Sequence, residues 1–331
     1  MLKKNFFLIF FIFISEICSS EIILKDSNLK EHKFKKISEL NRFITNKDNY
    51  TLNFLDHMQF DETLKITNSN NIFLNGNNKL LTFNNIIINS KLIYDVNEGD
   101  QIIYVNNPNH LIIGQEYIIY PNKKDDRLLE FKIIDIIENI IKIDKPVRFM
   151  SHVKHIPVNS PIIKRENFIE IVNSNNITIE NLIFDGQNKG QYLGHINYCA
   201  ILYAGAKSIA NDVNIKDINK NLIIKNNHFI NLNGRGVAFY NLIDAKVNNN
   251  FFFNIKQEAL EVDHFSSGII NNNFFLNNRV AIQLNDAFNT LVFKNFLLNN
   301  TININIIKHF PDKLISNTDL EIEDNQIINN K

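Results

Sequence analysis

The sequence predicts an all-β fold, a right-handed parallel β-helix with coils of about 22–23 residues and a small antiparallel β insertion. Three observations predict it. First, an apolar residue, an Asn three positions on and an apolar residue two beyond recur at Ile224/Asn227/Phe229, Val247/Asn250/Phe252, Ile270/Asn273/Phe275 and Val292/Asn295/Leu297. The Asn positions are 23, 23 and 22 residues apart, and a fifth copy, Ile322/Asn325/Ile327, follows an excursion carrying His309, Pro311 and Asp312. Second, a strand-like alternating series of the same period runs between the copies, at Val237/Phe239, Leu260/Val262, Ile282/Leu284 and Ile304/Ile306. Third, 44% hydrophobic content with 27 Phe recurring in register separates the chain from Asn-rich disorder. A leucine-rich horseshoe has a similar period, but its fixed Leu offsets are missing.

The elements follow in chain order. Lys3 and Lys4, the apolar run Phe6 to Ile14 and the mixed stretch Ser15 to Ser20 have the layout of a secretory signal peptide over 1–20. The run falls short of the roughly 20 apolar residues of a membrane span. Ile17 sits where a lipoprotein signal has a small residue, which counts against a lipid anchor on Cys18. A single β-helix domain is expected over 21–331. Residues 21–60 are read as its N-terminal cap, because a solenoid needs an atypical end to close its core. Asn68-Ser-Asn-Asn-Ile-Phe-Leu-Asn-Gly76 is echoed by Asn173-Ser-Asn-Asn-Ile-Thr-Ile, continuing to Leu182-Ile-Phe-Asp-Gly186, so the solenoid extends into the N-terminal half. Between the echoes, 91–150 reads as the antiparallel insertion, with a charged tip at Lys123-Lys-Asp-Asp-Arg127. The loops Gln187 to Tyr198 and Ala206 to Lys220 then lengthen one coil to about twice the period, and such excursions gather on one face. In the regular coils, equivalent residues stack about 4.8 Å apart. Phe229, Phe252 and Phe275 form an inward column, and the turn Asn tolerate left-handed backbone and bond to the next Asn up.

Charge limits the partners. The chain has 35 Lys+Arg against 35 Asp+Glu, and about −1 without the signal segment, so no general attraction to nucleic acid or an anionic membrane is expected. Cys18 leaves with the signal and Cys199 remains alone, which precludes an intrachain disulfide framework. The chain is expected to be a monomer that is secreted, periplasmic or held at the cell surface.

Alternation locates the chemistry. With Leu260 and Val262 inward, Glu261 and Asp263 point outward about 6.6 Å apart. Registering the coils puts Tyr240 on one side of this acidic pair and Gln283 and Asn285 on the other. Arg235, in a turn, and Glu258 lie at one edge, with His264 and Asp286 at the other. Glu261, Asp263, His264, Tyr240 and Arg235 are the candidate catalytic residues; Glu258, Gln283, Asn285 and Asp286 are candidate substrate contacts. Two carboxylates so spaced fit acid and base work at a glycosidic bond, or a divalent cation such as Ca2+. Exterior strand faces also carry charge for solubility alone, and that alternative stays open. His195 cannot be registered and is left out.

With the coils in view, 60–330 resembles the pectin-lyase-like superfamily of right-handed β-helix proteins. Val262-Asp263-His264-Phe265-Ser266 is similar to the Ile-Asp-His segment followed by Ser in pectate lyases, where that region contributes to the substrate groove and calcium site. The downstream pectate-lyase arginine motif is absent. So are the Gly-His-Gly and Arg-Ile-Lys of polygalacturonases and the Asp-Pro-His-Asp of alginate epimerases. The resemblance implies an exported carbohydrate-active protein, a lyase or epimerase of acidic polysaccharide rather than a hydrolase. The alternative is a non-catalytic glycan-binding or structural β-helix.

Overall fold

A computed structural model describes residues 20–83, 88–119, 129–148, 155–164, 166–189, 199–211, 213–309 and 316–329. The signal segment save Ser20, the charged tip at 123–127 and His195 fall outside them.

The chain is a parallel β-helix. Each regular coil holds three short strands, as in Ala245–Asn248, Phe251–Phe253 and Glu258–Asp263, and each strand pairs in parallel with its counterpart one coil on. One face is a seven-stranded sheet containing Arg235–Tyr240, Glu258–Asp263, Val280–Asn285 and Ile302–Ile307. The other two faces are joined by long strands, Asn70–Phe83 and Asn175–Asp185, that pass from one face to the next. These long strands are the two echoing segments. They lie side by side in register, Ile72 against Ile177 and Leu74 against Ile179, so neighbouring coils are joined here across 105 residues.

The intervening chain folds as its own antiparallel sheet of six strands, from Ser90–Lys91 to Pro161–Lys164. Its core, including Ile103, Tyr117, Ile133, Ile141 and Ile162, is separate from that of the solenoid. Its last strand therefore lies beyond residue 150. At the N-terminal end, Ile22–Lys25 runs antiparallel to Tyr50–Phe54, while Tyr50–Phe54 already stacks in parallel on Asn70–Phe83. Coil stacking thus starts at Tyr50, inside the segment read as cap. Helix Ile37–Ile44 covers that end with Ile37, Leu40 and Ile44, which share one face. Its N-terminus lacks a side-chain cap of its own; Asp61 accepts from Ile37 N and Ser38 Oγ instead.

Two sets of residues hold the coils in register. Phe184, Phe229, Phe252 and Phe275 form a stacked inward column with centroids 4.7–5.1 Å apart, and Leu297 continues it. Asn227, Asn250, Asn273, Asn295 and Asn325 form a ladder beside it, each side chain meeting the next. The turn asparagines divide into two kinds. Asn226, Asn249 and Asn272 take the left-handed conformation, while the ladder residue that follows each is buried. Asn250 shows why only Asn serves: its Nδ2 donates to Ile224 O, Asn248 O and Asn273 Oδ1, and its Oδ1 accepts from Asn227 N and Nδ2. A buried backbone group left without a partner costs about 1–3 kcal/mol. Asn250→Ala is expected to lower the unfolding free energy by about 2–4 kcal/mol in urea titration. Lys246→Ala, on an exposed position of the same coil, is expected to change it by less than about 0.5 kcal/mol.

Candidate functional site

The strand Glu258–Asp263 is flanked by Arg235–Tyr240 and Val280–Asn285 with Ala238 and Gln283 beside Glu261, and Tyr240 beside Asp263. Alternation predicts this register. Two features differ from the sequence reading. Arg235 opens a strand rather than sitting in a turn, and its side chain reaches the outward residues of the next coil. The cause lies in the small residues that follow the strand starts. Ala259 and Ala281 join the core together with Leu260 and Ile282, so strict alternation fails at this corner and Glu258 emerges on the side of Glu261. Gly236 is the equivalent residue beside Arg235; a Cβ there would lie 2.3 Å from Ala259 O and 3.1 Å from the Phe252 ring.

The second difference is burial. Glu261 is 0%, Asp263 1% and Arg235 2% exposed, so the strip is not the solvated charged face that exterior alternation suggests. Its charges face one another. Arg235 Nε lies 2.8 Å from Glu258 Oε2, and its Nη1 lies 2.9 Å from Glu261 Oε2 and 2.7 Å from Tyr240 Oη. Tyr240 Oη donates to Glu261 Oε2, while Gln283 Nε2 and Asn285 Nδ2 donate to Oε1, each at 2.9 Å. Asn305 extends the amide row to Gln283 Oε1. Every carboxylate oxygen of Glu261 is thus engaged by donors, which leaves it unsuited to the cation-binding role considered for it. Burial pushes the Glu261 carboxyl up to about 7 against the pull of Arg235, and raises the Tyr240 phenol well above its ordinary value.

At the far end of the strand the chain turns sharply, with His264 and Phe265 both left-handed. The turn folds His264 back so that its Nδ1 lies 2.9 Å from Asp263 Oδ1, which also accepts from His264 N. The Asp263 carboxylate is buried, but the imidazole is 44% exposed and its ring lies 5.3 Å from that of Tyr240. The Asp263 carboxylate against the ring raises the His264 pKa. One coil on, buried Asp286 accepts from His309 N and Ser316 Oγ, and half-exposed His309 places Nδ1 3.5 Å from it. Asp263, Asp286 and His309 each offer a ligand atom within 4.8 Å of the others.

The structure therefore brings Arg235, Tyr240, Glu258, Glu261, Gln283 and Asn285 into one buried network. Asp263, His264 and Asp286 stand at its end. His309, Ser316 and Asn305 join the constellation without having been singled out. Counting one coil from Asp286 arrives at Lys308-His309, which was the available signal. Asn317-Thr318-Asp319 matches the Asn-Thr-Asp of polygalacturonases in letters. It is a strand start on another face, and Asn317 holds backbone groups of Ala287 and Ile307.

No family model and no curated protein matches this chain. Among solved structures, the tailspike gp61 of Pseudomonas phage phi297 is similar at 12% identity and a TM-score of 0.23, over 78% of this chain and 64% of that one. The Gp54 tailspike of Acinetobacter baumannii bacteriophage AP22, solved with capsular saccharide, is similar at 8% identity and a TM-score of 0.21, over 82% and 66%. The GH136 lacto-N-biosidase of Eubacterium ramulus is similar at 8% identity and a TM-score of 0.26, over 90% and 64%. The chain spans about two thirds or less of the length of these proteins.

Removing Arg235 takes from buried Glu261 the cation that meets it and leaves buried Glu258 with the half-exposed Arg279, 3.4 Å away. Arg235→Leu is expected to lower the unfolding free energy by about 3–5 kcal/mol. Arg235→Lys is expected to recover only part of it, since one ammonium cannot reproduce the fork that meets Glu258, Glu261 and Tyr240. Urea titration of both variants checks this.

Proposed function

We propose that this chain is an exported carbohydrate-active β-helix protein that acts on an acidic polysaccharide by proton transfer, as a lyase or epimerase. The observation that carries the reading is the half-exposed His264 imidazole, oriented by buried Asp263 and set beside Tyr240. With Nδ1 held 2.9 Å from a carboxylate, Nε2 is the nitrogen that acts as the base, and the carboxylate stabilises the imidazolium formed. Tyr240 is kept protonated by burial and by the charge of Glu261, so it suits the donor's role.

For elimination, His264 takes the proton at C5 of a uronate. The electron pair forms the C4–C5 double bond as the C4–O bond breaks, and Tyr240 gives its proton to the departing oxygen. For epimerisation, a proton returns to C5 from the opposite face and no bond to the neighbouring sugar breaks. Arg235 and Glu261 act through Tyr240 by fixing its hydroxyl and are positioning residues. A second reading is favoured by the burial of Glu261 and Arg235, which no sugar can touch directly. In it Tyr240 and His264 form a glycan-binding surface without cleavage.

Absorbance at about 235 nm, where unsaturated uronates absorb, is expected to rise with a uronate polymer and to fall about 100-fold or more in rate in His264→Gln and Asp263→Asn. Lys246→Ala is expected to keep the wild-type rate. Absence of a rise with solvent exchange at C5 identifies the epimerase. Binding with neither signal sinks the catalytic reading and leaves the second.

A further inference from the structure

We propose that Asp263, Asp286 and His309 form a binding site for a divalent transition-metal cation of the Zn2+ class at the end of the seven-stranded face. The three residues come from successive coils or their turns, and their ligand atoms lie within 4.8 Å of one another. Tetrahedral donors about 2.1 Å from a common zinc ion stand about 3.4 Å apart, which the 3.5 Å between His309 Nδ1 and Asp286 Oδ2 already matches.

The carboxylates are held as ligands are held in built sites. Asp263 accepts from His264 N at 2.7 Å, with His264 Nδ1 2.9 Å from the same oxygen. Asp286 receives Ser316 Oγ and His309 N. Such second contacts fix the orientation of each carboxylate. An independent observation points to the same place. Asn285, 1% exposed, precedes Asp286, and its Oδ1 is buried without a hydrogen-bond partner among the described residues. Its Nδ2 donates to Glu261 Oε1 at 2.9 Å, and a carboxamide carries its oxygen about 120° away from its nitrogen. Asn285 follows Leu284, which pairs with Val262, so this oxygen belongs to the residue beside Asp263 and immediately before Asp286. A buried carbonyl oxygen without a donor is destabilising, and a cation relieves it.

The donor set decides the class. Two carboxylates balance the charge of a divalent ion, and an imidazole nitrogen suits Zn2+ and its neighbours; Ca2+ takes six to eight oxygens. The site displaces the expected cation from Glu261, whose two carboxylate oxygens each accept from two donors, to the next turn of the solenoid. It does not rest on the elimination chemistry, because it would exist equally in a glycan-binding protein.

Calorimetric titration of the chelator-treated purified protein with Zn2+ is expected to show one equivalent bound, more tightly than Ca2+. Co2+ in its place is expected to give a visible absorption band. His309→Gln is expected to weaken Zn2+ binding about 10- to 100-fold. Asp286→Asn is expected to do the same, but its burial puts the fold at risk, so the exposed His309→Gln with an unchanged urea midpoint carries the test. Zn2+ binding absent up to about 100 µM, equal in His309→Gln, or weaker than Ca2+ binding overturns the site. Zn2+ bound as expected with no absorbance change on any polymer overturns the lyase reading and keeps this one.

Discussion

The structure depends on coil-to-coil register, and the buried Asn ladder enforces it. A parallel solenoid satisfies its strand backbones automatically, because each strand pairs above and below. Its corners are the weak point, since there the backbone turns inward with polar groups that no strand can meet. Asn227, Asn250, Asn273 and Asn295 answer this with side chains that bond the backbone of their own coil, that of the coil before and the next Asn. A slip of one residue would break every rung at once and turn the Phe column outward. The left-handed residue before each rung makes the turn tight enough to repeat. The same register lets coils 105 residues apart join as neighbours, with the antiparallel insertion leaving and returning at one point.

Register also makes the candidate site. Arg235, Glu258 and Glu261 belong to two strands one coil apart, and their meeting requires the departure from alternation at Gly236 and Ala259. There is no room for a larger residue at Gly236, because the backbone of the next coil lies against it. Once the three charges are enclosed, the amides of Gln283, Asn285 and Asn305 complete their hydrogen bonds in a row across the following coils. Such a network gives Tyr240 a fixed hydroxyl direction. The groups proposed to react are accordingly not the buried acids themselves but the partly exposed rings they support.

The end of the same strands is built differently. There the chain leaves the sheet through left-handed residues, and the carboxylates of Asp263 and Asp286 are engaged by groups in the turns that follow them. Two half-exposed histidines, each backed by a buried aspartate on successive coils, stand on this edge, one proposed as proton acceptor and the other as nitrogen ligand. The proposed acid–base pair and the proposed cation site thus share one edge without sharing their deciding residues, His264 and His309.

The sequence by itself determined the repeat, and with it the coil length, the inward Phe column, the Asn rungs and the alignment of Ala238, Glu261 and Gln283 across coils. These follow from a period written locally along the chain, and each coil repeats the same spacing. The residues' types likewise placed Asp263 and His264 together. Burial was decided only in the tertiary structure, as were the outward emergence of Arg235 at a corner lined by Gly236 and Ala259, and the arrival of His309 and Ser316 beside Asp286. These depend on what lies against each side chain from coils and turns 20 to 30 residues away. A period fixes which residues align; whether an aligned charge meets water, a guanidinium or another carboxylate is set by how the chain closes over it.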